Sequence, residues 1–425
     1  MKKAVIVTSL MLFSMFFGAG NLIFPPMLGQ ESGTAYLSAI IGFLATGVLL
    51  PVIAIVAVVI SGNDVRDMAS RGGKVFGLAF PILAYLSIGA FYALPRTGAV
   101  SYSTAVGEDN VLYSGVFNLA FFGVALALSW NPNGVADKLG KWLTPALLGL
   151  ILLLVTLSLM VLTGTPGEPR GDYATQALGA GLFEGYMTMD SIAALAFGIV
   201  VISAFKYQKV EKVRTATVYA AFIAGGLLAA VYLGLGAIGR LSGGSFTDGT
   251  EILNHAAEST MGAPGRFIFT IIVVLACLTT AVGLITATSE FFNSLLPGIR
   301  YHAWAVVFAL ISFAVATLGL DAVLSIAAPI ITFIYPAAIT LVLLTLLEPL
   351  VFPFHATFML GIWTSVVWAL FMSVPPLVSF IEWAPLHSIQ LGWVVPVMVM
   401  SVLGMVADWN KKVSKKVEEK AAVNT

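Results

Sequence analysis

The sequence predicts an all-α polytopic membrane protein, and three observations carry that reading. Of its 425 residues, 59% are hydrophobic and only 10% are charged, with a mean hydropathy of +0.97. A soluble domain carries about 25% charged residues. The apolar residues fall into runs of about 20, the length that crosses a bilayer. Lysine and arginine gather on alternate connections, as they do on the cytoplasmic side of membrane proteins. The net charge of zero gives no sign of a nucleic acid or acidic partner. A single cysteine, Cys277, excludes an intramolecular disulfide, and the scattered His255, His302, His355 and His387 have no zinc spacing.

About twelve spans are predicted: roughly 4–29, 34–60, 75–106, 111–130, 141–163, 176–205, 213–239, 264–292, 301–319, 322–347, 356–374 and 390–409. Charge brackets them in order. Lys2 and Lys3 precede the first span, and Glu31 follows it. Arg66, Arg71 and Lys74 separate the second from the third, which ends at Glu108 and Asp109. Lys138 and Lys141 lead into the fifth, which Glu168 and Asp172 close. Lys206, Lys209, Lys212 and Arg214 join the sixth to the seventh, and Asp248, Glu251 and Glu258 lie beyond it. Arg300 opens the ninth, Asp321 divides it from the tenth, and Glu382 separates the eleventh from the twelfth. Lys411, Lys412, Lys415, Lys416 and Lys420 fill the tail. Both termini are therefore expected in the cytoplasm. The first 20 residues have the outline of a signal peptide, but the apolar pattern continues through Leu28 with no polar segment after Gly18-Ala19-Gly20.

Two spans break in mid-membrane. The first carries Phe16-Phe17-Gly18-Ala19-Gly20-Asn21-Leu22-Ile23-Phe24-Pro25-Pro26, and the sixth carries Phe183-Glu184-Gly185-Tyr186-Met187-Thr188-Met189-Asp190. Glycine, asparagine and proline are poor helix material. Lipid offers no partner for the backbone groups so freed, and such breaks in secondary transporters hold substrate and coupling ion. Spans 1–5 (about 4–163) and 6–10 (about 176–347) then form two copies of five spans. An odd number inverts the second copy in the membrane. Two additional helices at about 356–409 and a cytoplasmic tail at 410–425 complete a single transmembrane domain over 1–425.

At the first break, half-helices 4–17 and 22–29 are expected. The N–H groups of Ala19, Gly20 and Asn21 face the start of the second, a site for a carboxylate. Free carbonyls near Ser14, Phe16 and Phe17 suit an ammonium group or Na⁺. The bland alternative is a Gly-x-Gly that only lets helices pack closely. Asp190 is read either as a functional acid or as the cap of half-helix 191–205. Glu184 has no capping role and is a candidate for the broken backbone, a substrate ammonium or a coupling proton. In Ala276-Cys277-Leu278-Thr279-Thr280 the hydroxyls either join a carbonyl as hard oxygen ligands or bond back to their own helix. Arg96 snorkels toward the outer surface, or pairs with an acid in an external gate. The sequence holds no Ser-His-Asp arrangement, phosphate loop or nucleotide motif. An enzyme and an ATP-driven pump are thus disfavoured, no cofactor is implied, and an ion gradient remains as driving force.

These residues, together with Ala93-Leu94-Pro95-Arg96-Thr97 and Ala281-Val282-Gly283, resemble the bacterial branched-chain amino acid:cation symporter family from residue 1 to about 410. That family looks like a member of the amino acid–polyamine–organocation superfamily, with a leucine-transporter-like five-plus-five inverted repeat, discontinuous helices 1 and 6, and two additional helices. The resemblance implies a bacterial plasma-membrane symporter, not an enzyme, that imports leucine, isoleucine and valine with Na⁺ by alternating access. H⁺ coupling through Glu184, or another small apolar zwitterion as substrate, is the alternative. By position, Ala19, Gly20 and Asn21 hold the carboxylate. Carbonyls of Phe16, Gly185 and neighbours, with Glu184 and Tyr186 beside them, take the amine. The resemblance places Na⁺ between the carbonyls of Ser14, Phe17 and Ala276 and the hydroxyls of Thr279 and Thr280. Arg96 and Asp190 are the candidate gate residues on their own position in the sequence.

Overall fold

The computed structural model describes residues 2–62, 65–107, 110–351 and 353–423, with the backbone alone described at 321, 324, 326–328, 331, 375, 388 and 412–423. Glu108, Asp109 and the side chains of Asp321, Lys412, Lys415, Lys416 and Lys420 lie outside the described residues. Every described regular element is helical.

The long helices, in chain order, are α1 (Lys2–Phe16), α2 (Ala19–Ser32), α3 (Tyr36–Leu44), α4 (Leu50–Ser61), α5 (Lys74–Leu86), α6 (Ala93–Ala105), α7 (Val111–Ser129), α8 (Thr144–Val161), α9 (Tyr173–Met187) and α10 (Asp190–Tyr207). They continue as α11 (Val213–Leu241), α12 (Gly249–Met261), α13 (Ala263–Leu295), α14 (Tyr301–Thr317), α15 (Leu320–Val351), α16 (Ala356–Ser373) and α17 (Val394–Val423). Among the described residues, 10 helices are long and apolar enough to span a membrane. The difference from the expected count has a local cause. Ala19–Ser61 runs as one helical stretch that joins the second half of the broken first span to the second span, and the ninth is the shorter Tyr301–Thr317. Helix α12, between the seventh and eighth spans, was not expected.

Both breaks exist, and each differs in register from expectation. The first is confined to Phe17 and Gly18, so α2 begins at Ala19 and carries Pro25 and Pro26 inside it. Those prolines leave the Asn21 and Leu22 carbonyls without helical donors, yet do not end the helix. The second break is Thr188 and Met189, with Met189 in the left-handed conformation at φ 64°. It falls after Glu184, Gly185 and Tyr186, which belong to the last turns of α9. A third irregularity lies in the third span. A π-helical turn at Ser87–Phe91 ends at the non-helical Tyr92, where α6 starts.

The chain forms two compact units. The first comprises Met1–Val59 and Tyr85–Ala327 and contains both breaks. Its helices pack through small residues. A side chain on Gly29 of α2 would collide with the Gly236 carbonyl of α11, and one on Gly239 with the Pro26 carbonyl. Such close backbone contact is how helices associate where apolar burial against lipid gains little. The second unit comprises Ile60–Ala84 and Ala328–Thr425. There Arg71 pairs with Glu348, and the Trp363 indole N–H donates to the Gly72 carbonyl at 3.1 Å. The Asp408 carboxylate accepts from the N–H groups of His355, Ala356 and Thr357 at 2.9–3.0 Å. An anion at the start of α16 meets the positive end of its dipole.

Candidate functional site

Within the first unit the two breaks face one cavity of about 40 Å³. A water needs roughly 10–15 Å³ on this measure, so the space as it stands holds about three waters and has to widen to admit an amino acid. Its walls are Met15 and Phe16 from α1, Gly18–Asn21 from the first break, and Thr188, Met189, Asp190, Ala193 and Phe197 from the second. Ile88, Tyr92, Ala93, Arg96 and Thr97 close it from the third span, and Thr280 and Leu284 from α13.

The breaks are tied together by one buried network. The Asn21 side-chain amide donates to Asp190 Oδ2 at 2.6 Å and also to the Tyr232 hydroxyl. The Tyr232 hydroxyl in turn donates to the same Asp190 oxygen at 3.2 Å. Asn21 Oδ1 accepts from the Gly18 N–H at 3.2 Å, which pins the turn between α1 and α2. Asp190 opens α10 and Asn21 sits in the first turn of α2, so the network holds two helix starts at the cavity. Tyr232 of α11 is fully buried. Its sequence signal was slight: a hydroxyl in the apolar later half of the span, where an unpartnered polar group is costly.

Helix ends set the electrostatics. The first N–H groups of α2, on Ala19, Gly20 and Asn21, have no acceptor within the helix and carry its positive pole. The last carbonyls of α1 and α9 carry the negative pole. Near the α1 end, the Thr279 hydroxyl lies 3.0 Å from the Ser14 carbonyl and 3.0 Å from that of Ala276. The Thr280 hydroxyl lies 3.2 Å from the Ser14 carbonyl. Phe17 closes the last turn, its N–H donating to Phe13 at 2.8 Å. These oxygens of α1 and α13 are buried beside the cavity, and Thr280 also lines it.

Arg96 does not snorkel. It is 6% exposed, in the first turn of α6, and lines the cavity. Its guanidinium donates to the Tyr92 hydroxyl and lies 5.3 Å from the Tyr92 ring and 5.5 Å from the Phe24 ring. A Cβ on Gly20 would stand 3.3 Å from both of its terminal nitrogens. Expecting a continuous third span put Arg96 near the membrane surface; the interruption at Tyr92 turns it inward.

The structure thus gathers Phe16, Ala19, Gly20, Asn21, Arg96, Asp190 and Thr280 around the cavity, with Ser14, Phe17, Ala276 and Thr279 behind the α1 end. It does not bring Glu184, Gly185 or Tyr186 there. Gly185 packs against Thr46 and Gly47, and its carbonyl is taken by the Thr188 hydroxyl at 2.8 Å. The Tyr186 ring stacks with Phe183 at 6.4 Å. Glu184 points toward Tyr173, with Glu31 close by.

The chain matches the family described as "Branched-chain amino acid transport protein" over residues 1–411. It is 73% identical over 423 residues to the branched-chain amino acid permease BrnQ of Corynebacterium glutamicum, covering 100% of this chain and 99% of that protein. A Bacillus subtilis permease of the same name is 38% identical, covering 95% and 96%. Among solved structures, Mhp1, a nucleobase-cation-symport-1 family transporter, superimposes with a TM-score of 0.62 at 14% identity, covering 96% of this chain and 93% of that one. MhsT in complex with L-phenylalanine gives 0.56 at 15% identity, covering 93% and 98%. These likenesses show a shared leucine-transporter-like fold. The chain belongs to the branched-chain amino acid transport protein family and is a transporter, not an enzyme.

Proposed function

We propose that this transporter carries leucine, isoleucine and valine into a bacterial cell together with Na⁺, by alternating access in the plasma membrane with both termini cytoplasmic. The observation that supports it best is the convergence of Thr279 and Thr280 hydroxyls on the Ser14 and Ala276 carbonyls at the negative end of α1. Neutral hard oxygens at a helix C-terminus suit a small monovalent cation. The adjoining walls suit an apolar zwitterion. The α2 start offers N–H groups for a carboxylate, and the carbonyls of Phe16 and Thr188 lie at the ends of α1 and α9 for an ammonium. Met15, Phe16, Ile88, Phe197 and Leu284 offer only apolar surface to the side chain. Alternating access then amounts to opening this site first to one side and then to the other. The relatives named as branched-chain amino acid permeases support the substrate class.

The alternative couples transport to H⁺ through Glu184. It has the weaker geometric support, because Glu184 lies off the cavity beside Tyr173. Competition against radiolabelled leucine on purified protein tests the substrate assignment. Each buried CH₂ contributes about 0.8 kcal/mol, so leucine and isoleucine should bind at least tenfold more tightly than alanine. Competition by lysine or glutamate as strong as that of isoleucine would contradict an apolar pocket.

A further inference from the structure

Arg96 is a full positive charge buried in the first unit, and no carboxylate among the described residues forms an ion pair with it. A guanidinium keeps its charge, and burying one without a counterion is expensive. Its Nε has no hydrogen-bond partner. The acid of the same cavity, Asp190, is already held by Asn21 and Tyr232. Phe24 and Tyr92 steady the guanidinium from their ring faces, and Gly20 leaves open the space in front of both terminal nitrogens. That space adjoins the start of α2, where unsatisfied N–H groups also seek an anion. Two positive groups therefore converge on one cavity whose lining acid, Asp190, acts on Arg96 only at a distance and has its carboxylate engaged by Asn21 and Tyr232.

We propose that Arg96 binds the carboxylate of the transported amino acid, forming with the Ala19–Asn21 backbone a two-part clamp on that group. This rests on the amino acid substrate proposed above and reassigns Arg96 from gate to substrate ligand. The forked donors match a carboxylate in its plane, which a lysine ammonium does not reproduce. Glycine at position 20 has a second purpose here: any side chain would stand between the guanidinium and the ligand.

The test compares leucine with isoamylamine, which is leucine without its carboxylate, on protein in nanodiscs at saturating Na⁺. In Arg96→Gln, leucine affinity should fall about 100-fold while isoamylamine stays within about threefold of wild type. In Arg96→Lys, which keeps the charge, the preference for leucine over isoamylamine should shrink about tenfold. Arg96→Gln binding leucine within threefold of wild type overturns the proposal, and so does equal weakening of both ligands, the mark of a gate or packing role. Should Arg96→Gln not purify as a monodisperse species, Arg96→Lys decides, and an unchanged preference overturns the proposal. Leucine binding by wild type is the control for the substrate assignment; the ratio of the two ligands reports on Arg96 alone.

Discussion

Gly20 and Thr280 stand on opposite sides of the first break, and each is constrained by what faces it. A valine at position 20 would crowd both terminal nitrogens of Arg96, whose distance from a Cβ there is already only 3.3 Å. Gly20→Val is expected to abolish leucine binding while the protein still inserts and purifies as a single species; near-normal affinity in equilibrium binding would place the carboxylate elsewhere. Gly18 faces α13 in the same way, since a Cβ would lie 2.8 Å from the Thr280 hydroxyl. Replacing Thr279 and Thr280 with valine keeps the volume but removes two of the clustered oxygens. The Na⁺ concentration for half-maximal leucine uptake should rise strongly, about tenfold or more, while leucine affinity at saturating Na⁺ moves less, because the two sites are coupled but distinct. A Na⁺ titration that matches wild type would remove the cation from this cluster. At this scale the sequence was informative about residue type more than about direction. The spacing of Ala276, Thr279 and Thr280 was legible, but Arg96 was read as snorkelling outward or as pairing with an acid in an external gate, because nothing in Leu94-Pro95-Arg96 marks the irregular backbone at Tyr92.

The discontinuous helices show how an element can be foreseen and still be misplaced by a few residues. Pro25 and Pro26 are poor helix material, yet α2 runs through both, as the expected half-helix 22–29 does, but it starts three residues earlier, at Ala19, and packs closely against α11. In the sixth span Gly185 looked like the break. It serves instead as a close-packing surface against Thr46 and Gly47, and the turn is made at Met189, a residue with no propensity signal for positive φ. The Asn21–Asp190–Tyr232 network then fixes both helix starts. Tyr232→Phe leaves Asp190 bonded to Asn21 and should lower stability by about 1 kcal/mol. Asp190→Ala strips the acceptor from two buried donors and should cost about 2–3 kcal/mol. Thermal unfolding in detergent without substrate checks the order; equal effects would mean that the Tyr232 hydroxyl matters to the junction as much as the Asp190 carboxylate does.

For the molecule as a whole, composition and the run of apolar segments were enough for a polytopic helical protein, and paired breaks five spans apart were enough for the transporter fold. The amphipathic α12 escaped notice because its residues are mixed, and the junction through Tyr232 escaped because it joins residues 211 positions apart in sequence. The proposed function entails energetic coupling: a cation between α1 and α13 would brace the same break that contributes the start of α2 to the cavity. Leucine and Na⁺ should therefore strengthen each other's binding by the same factor. The most direct measurement is uptake of radiolabelled leucine into proteoliposomes of the purified protein, with the Na⁺ gradient and the pH gradient imposed separately. An inward Na⁺ gradient should drive accumulation above equilibrium, and a Na⁺ ionophore should abolish it. Equal accumulation in Na⁺-free buffer under a pH gradient alone would contradict the account.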